Sequence, residues 1–417
     1  MKINRNICSY MIFFSFVFLF FVLSIHEAIG GEPVNIQRSD GVKIISNPKT
    51  PSPKDGVKIR IVFEEELSTG VEEGDENYMF GGRVYFNADH EGNIYVTDWD
   101  RKRIQKYDPE GKYLLTIGRK GQGPGEFGNV WLPRFDKNNN LYVTDIVNHR
   151  IHFFDKKGNF LRHIKTPQGF SCQYVNSKGL IIGTYFKVTE EDKSGEKWVF
   201  IFGMFDEKFE PVLEINRRSS ESRTSGSRSR AQVLADIWGE DVYKAEISHF
   251  MTENELLYFG YPESYEIKIY NPEGKLTKII QRDYEPIRVS KKHKEKYEKF
   301  LEDEFFRLFP RDNAIKEDVF RLIKYPKYLP PYQRFVLMEN GWLFVMVDSI
   351  PDEYALIDIF DQEGNYIAQF EALIPAENLF FKNGKAYALA TENDYRFVKR
   401  YRYEIQEYRD NKWVKKK

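Results

Sequence analysis

The chain has 417 residues, of which 41% are hydrophobic, 30% charged and 16% aromatic. That composition is globular and rich in the aromatic residues that favour pleated strands. A formal net charge of −1 leaves no global field to draw the protein to nucleic acid or to an anionic membrane, and two cysteines exclude a disulfide framework.

In chain order, the N-terminus reads as an address. Lys2 and Arg5 give a basic start, Met11–Ile25 an apolar run and Ala28-Ile29-Gly30 a small-residue cleavage site. Residues 1–30 are therefore expected to be a signal peptide, cut between Gly30 and Gly31, and the protein to be exported to the periplasm or beyond. Membrane contact is expected only if this segment stays uncleaved. Cys8 precedes the apolar run, so it is no lipidation site, and Cys172 alone remains in the mature chain as a small core residue. Residues 31–56, with Pro33, Pro48, Pro51 and Pro53, are expected to form a flexible leader. Val57–Leu67 alternates like a strand but precedes the first full repeat, a place suited to closing a ring and hiding its edge.

The repeat itself is explicit. Gly92–Ile117 and Asn139–Ile164 match at a constant offset: Asp145 − Asp98, Arg150 − Arg103, Asp155 − Asp108 and Gly158 − Gly111 all give 47. Several short strands per unit at this period indicate β-propeller blades, which bury their faces only by stacking around an axis. Blades one and two run over Arg83–Ile117 and Trp131–Ile164, joined by the glycine-rich crossover Gly118–Phe127, which lacks the pattern of a phosphate loop. Blade three, Phe170–Ile215, is followed by a polar, arginine-bearing loop, Asn216–Ser229, and a short helix near Ala231–Ile237. Blade four covers Ile247–Gln281. Ser290–Lys324 has helical spacing, with Ser290 as N-cap and Pro310 as a break, and reads as a helical hairpin, a lid or a plug. Blades five and six take Arg334–Phe370 and Asn378–Arg402, and a basic tail, 409–417, ends the chain. The expected fold is all-β: a six-bladed β-propeller over residues 57–408 with a helical-hairpin insertion (290–324) between blades four and five.

The pattern G-N-I-Y-V-T-D, then R-I, then D-x-x-G, then G-x-G-P-G-E-F resembles the NHL-repeat class of six-bladed propellers, especially bacterial exported families of unknown function. It is full in blades one and two. Asn271–Gly274 and Asp361–Gly364 echo its outer turn, and the inserted helices also look like the exported families. This resemblance implies architecture more than activity, since propellers host both binding modules and enzymes.

Repetition separates braces from chemistry, because a catalytic group is needed once and a brace in every blade. Asp98, Arg103, Asp145 and Arg150 are accordingly expected to be structural, each Asp fixing a turn and pairing with its Arg. The related calcium-dependent lactonases and zinc-dependent amidating lyases imply axial metal ligands. Aligning the inner strands puts Asn87, Arg134, Gln173 and His249 at one axial level and Arg334 and Glu377 two residues earlier, and neither level assembles three carboxylates or imidazoles. The other histidines of the mature chain stand elsewhere: His90 in a turn, His149, His152 and His163 on solvent-facing outer strands, His293 in the insertion. The reading is a non-catalytic module for a protein, peptide or glycan, without cofactor, touching its ligand through Asn87, Arg134, Gln173, His249, Arg334 and Glu377. Arg134 and Arg334 favour an acidic or carbonyl-rich ligand. The alternative is a calcium- or zinc-dependent lactonase or lyase on the same ring.

Overall fold

The computed structural model describes residues 34–53, 56–192, 195–221, 229–239, 242–243, 245–302, 310–350, 354–372, 377–393 and 395–416. The expected signal peptide lies outside these residues. Blade one comprises Val84–Ala88, Ile94–Asp98, Arg103–Tyr107 and Tyr113–Ile117, each strand antiparallel to the next. Its second strand is buried at every position, because a blade between two neighbours has no solvent face. Blade two repeats the arrangement from Arg134–Phe135 to Phe160–Lys165, and blade three from Phe170–Val175 to Pro211–Glu221. Blade four runs from Ser248–Met251 to Leu276–Arg282 and blade five from Arg334–Leu337 to Tyr366–Ala372.

Closure is visible in the packing. Six apolar cores lie between successive sheets: Tyr95 with Phe154 between blades one and two, Tyr142 with Phe170 next, then Phe202 with Phe259, and Ile267 with Val345. Phe344 with Phe381 joins blades five and six, and Phe86 with Tyr387 returns from six to one. The last blade holds Glu377–Lys382, Lys385–Glu392 and Tyr395–Arg409. Its fourth strand is Ile59–Thr69, antiparallel to Val398–Glu407, so the segment before the first repeat shares a sheet with the last.

The Asp-x-x-Gly turns work through one device. Asp108 Oδ1 accepts the amides of Glu110 (3.1 Å) and Lys112 (2.7 Å), while Gly111 takes φ 81°. Blade three builds the same turn without the glycine: Asp206 Oδ1 accepts from Lys208 and Glu210 (2.9 Å each), and Phe209 takes φ 63°. Phe209 packs in the blade two–three core, and that burial offsets the left-handed backbone.

Three stretches differ from the sequence expectation. The leader is not a free coil: Asn35–Ser39 and Val42–Asn47 form a hairpin, and Val42–Asn47 lies parallel to Leu276–Arg282 on the outer edge of blade four. The apolar β-branched run before Pro48 covers an edge that would otherwise be open, with Ile45 wholly buried. The tail is likewise a strand, Lys412–Lys415, folded back on Gln406–Arg409 through Asp410 and Asn411 at φ 50° and 59°. The expected polar loop begins as the last strand of blade three, which continues through Asn216 to Glu221. There Arg217 pairs with Glu214 (2.6 Å), and residues 222–228 lie outside the description.

The helices come from two crossovers. α1 (Arg230–Gly239) follows blade three, and α2 (Lys291–Leu301) and α3 (Lys316–Leu322) follow blade four. They share one apolar cluster of Leu234, Ala235, Leu301, Val319 and Ile323. Ser290 caps α2 through its side chain and His293 replies to the Ser290 amide. The buried His293 ring then reaches Asp348 of blade five at 3.1 Å, docking the helices on that blade.

Candidate functional site

Every inner strand runs toward a tight turn and every second strand returns, so the ring has a turn end and a crossover end. At the turn end the blades are laced together. His90 N donates to Asn139 Oδ1 (3.1 Å), Asn383 Nδ2 to Asp89 O (3.1 Å), and Ser177 N to Glu255 Oε1 (2.6 Å). His90 Nδ1 lies 3.5 Å from Glu253 Oε1, joining blades one and four from opposite sides of the ring. Lys382 stands above the Phe135 ring (5.6 Å) in this hub. Burial lowers its pKa, with Glu253 and Asp89 opposing.

The structure brings only part of the sequence-predicted set together. Arg134 lays its guanidinium 4.5 Å over the Tyr174 ring, and Tyr174 OH meets His249 Nδ1 at 3.2 Å, linking blades two, three and four. His249 also stacks on Phe202, with centroids 5.1 Å apart. Asn87 donates from Nδ2 to Pro133 O (2.9 Å) and accepts the Ala88 amide, a brace between blades one and two. Gln173 turns to Ser171 Oγ (3.4 Å). Arg334 and Glu377 open the inner strands of blades five and six, paired with Met346 and Leu389. Arg134, Asn87 and His249 are thus engaged with their own neighbours. Tyr174, which joins Arg134 to His249, escaped the sequence reading because aromatic residues are ordinary in inner strands.

Burial, aided by the Arg134 charge, lowers the His249 pKa from its ordinary value to about 3. The ring is neutral in the fold, whereas an unfolded chain binds a proton near pH 6.5. Because the folded pKa is depressed, stability is full above pH 6.5 and drains as pH falls toward 3. His249→Gln is expected to flatten that part of the pH–stability curve, followed by thermal melts between pH 7 and 4. An unchanged slope would show that water reaches the ring.

The braces divide. Asp98 is wholly buried and holds Arg101 Nη1 (3.1 Å) and, at 3.4 Å, Arg103 Nε. Asp145 serves a different partner: its oxygens accept the amides of Gly128 (2.7 Å) and Asn129 (3.0 Å), while Arg150 donates to Gln122 O (2.7 Å). Burial works to raise the Asp145 pKa, but neighbouring donors outweigh it and hold the carboxyl below its usual range. His152 Nε2, at 3.8 Å, is too far to be a hydrogen-bond donor, so the amides carry this effect. His152 is itself a correction. It is wholly buried, not solvent-facing, because the crossover loop folds Phe127 edge-on to its ring.

At the crossover end, the interface of blades one and two is topped by three rings. Tyr85 stacks on Trp131 at 5.5 Å and 12°, and Trp99 meets Tyr85 (6.2 Å) and Trp131 (6.0 Å) edge-on. Trp131 remains 37% exposed. Burial raises the Tyr85 pKa, with the Arg83 charge acting against it. Sequence reasoning passed over this trio although it carried a signal. Trp99 and Ile146, Val84 and Trp131, and Tyr85 and Leu132 are each 47 apart, so all three rings depart from an otherwise faithful repeat.

Among the described residues no group of three or more His, Cys, Asp and Glu is placed to hold a metal ion. An open groove of about 740 Å³ lies at the rim between the N-terminal hairpin and blade four. Its two cations are already matched, Lys49 to Glu285 (2.7 Å) and Arg282 to Asp358 (2.5 Å).

No curated protein matches the sequence. Among solved structures, a protein of Bacteroides fragilis described as exported is similar at 12% identity and TM-score 0.49, covering 87% of this chain and 99% of its own. A DUF4221-family member from Bacteroides vulgatus follows at 10% identity and TM-score 0.47, covering 84% and 98%. Virginiamycin B lyase of Staphylococcus aureus, with quinupristin, is similar at 9% identity and TM-score 0.39, covering 82% and 99%. Likenesses this remote carry no argument about activity. The family profile does reach a conclusion: it matches residues 82–303, more than half of the sequence, and the chain belongs to the DUF5128 family, a 6-bladed beta-propeller.

Proposed function

We propose that this protein is an exported, non-catalytic binding module that receives a protein, peptide or glycan at the crossover end of its ring. One observation carries the reading. Arg134, Tyr174 and His249 engage one another on the axis and side chains bridge the blades at the turn end, whereas the rings of Tyr85, Trp99 and Trp131 stay partly open at the opposite mouth. Half-exposed aromatic residues held rigid by their neighbours are typical anchors of recognition. The basic start, apolar run and small-residue site before Gly31 support export. The first two blades keep the NHL-like pattern, consistent with a ring built to present loops.

The test is an array of peptides, glycans and proteins probed with the mature chain. Trp131→Glu, at the crossover mouth, is expected to remove the signal, and Lys137→Glu, in an exposed turn at the other end, to leave it. The reverse pattern would overturn the assignment of the binding end.

A further inference from the structure

We propose that the mouth between blades one and two binds an acidic saccharide, a residue of the uronate or sialate class, stacked on Trp131. The inference rests on the binding-module reading and adds the chemistry of the ligand. Three aromatic planes fix one another there, so the platform loses little freedom when a ligand arrives. All three depart from the repeat, which argues against a generic blade brace.

The polar groups around the rings are donors in want of acceptors. Among the described residues, the Tyr85 hydroxyl, the indole N–H groups of Trp99 and Trp131, and the Arg83 guanidinium show no hydrogen bond to the protein. Lys102 Nζ, which donates to Asn129 Oδ1, adds a second cation 5.5 Å over Trp99. The one carboxylate beside them, Asp100, is exposed but occupied at Oδ2 by the Gly82 amide (2.8 Å) and the Arg83 amide (3.4 Å), and the two cations outnumber it. A pyranose offers what this arrangement lacks. Its C–H face lies flat on an indole, its ring and hydroxyl oxygens accept from N–H and O–H donors, and a carboxylate suits Arg83 and Lys102. A proline-rich peptide also uses aromatic residues, but it needs pockets spaced along a groove, and here the rings are gathered at one point.

The experiment titrates the mature protein with an oligogalacturonate and with its carboxyl-reduced, neutral counterpart, read by calorimetry and tryptophan fluorescence. The acidic probe is expected to bind roughly tenfold tighter than the neutral one, and Trp131→Ala to weaken it roughly tenfold or more. Arg83→Ala, an exposed change, should erase the preference for the acid with the thermal midpoint unmoved. It keeps the proposal falsifiable if Trp131→Ala disturbs the fold. No binding of oligogalacturonate or of a sialylated trisaccharide, or binding that survives both variants, would overturn the proposal. A Trp131-dependent peptide found instead would overturn it while leaving the binding-module reading intact. New reducing ends appearing in a Trp131-dependent titration would support the saccharide site and overturn the non-catalytic reading.

Discussion

Asp358→Ala is expected to cost about 3–5 kcal/mol, because it strands a buried charge. Asp358 is fully enclosed between blades four and five. Its Oδ2 accepts from Arg282 Nη1 (2.5 Å) and Tyr265 OH (2.6 Å), and its Oδ1 from Tyr366 OH and Gln369 Nε2 (2.8 Å each). Arg282 is only 7% exposed and lies 4.2 Å from the Tyr366 ring centroid. Burial alone would lower its pKa, but Asp358 and the two tyrosines outweigh that and raise it. Removing the carboxylate therefore leaves a guanidinium and two phenols without their acceptor. Replacing both charges, as Arg282→Met with Asp358→Leu, should recover the part of the loss due to the stranded guanidinium, while the two phenols still lack their acceptor. Urea denaturation of the two variants checks this. A single-mutant loss under about 1 kcal/mol would mean that water enters through the rim groove and solvates the pair.

Deleting residues 31–70 is expected to abolish cooperative unfolding, whereas deleting 31–56 should leave a folded ring with a lower thermal midpoint. The two truncations differ by Ile59–Thr69, the strand that completes blade six. Without it, Tyr395–Arg409 becomes an open edge and the apolar core around Ile61 and Phe63 loses both residues, each worth about 1.5–3 kcal/mol of burial. Loss of the hairpin costs less, since it lies on the outside of blade four and adds chiefly Ile45 and the Asn47 bridges to Gln281 O and Gly364 O (3.0 Å each). Circular dichroism melts separate the cases, and a synthetic peptide spanning residues 57–70 should restore the longer deletion in trans. A sharp transition in the 31–70 deletion without the peptide would show that the ring closes by other means.

The blades were legible where physics is local. Period-2 alternation and the 47-residue offset follow from pleating and from turn chemistry, so blades one and two could be drawn from Gly92–Ile117 and its copy. The Asp-x-x-Gly turns were equally readable, since a side-chain oxygen and a left-handed glycine are both encoded within four residues. Blade three was harder because Phe209 fills the glycine's place, a substitution that only its buried ring explains.

Sequence by itself determined the repeat, the ring it demands and the candidate braces. Tertiary structure decided where the N-terminal residues go, because Ile45 finds its cover 235 positions away on Ile280 and proline content says nothing of that edge. It decided the site for the same reason. Arg134, Tyr174 and His249 meet across three blades and engage one another, while Tyr85, Trp99 and Trp131 gather from two blades and remain partly open. Whether a side chain is spent or available depends on partners that only the closed ring brings within reach.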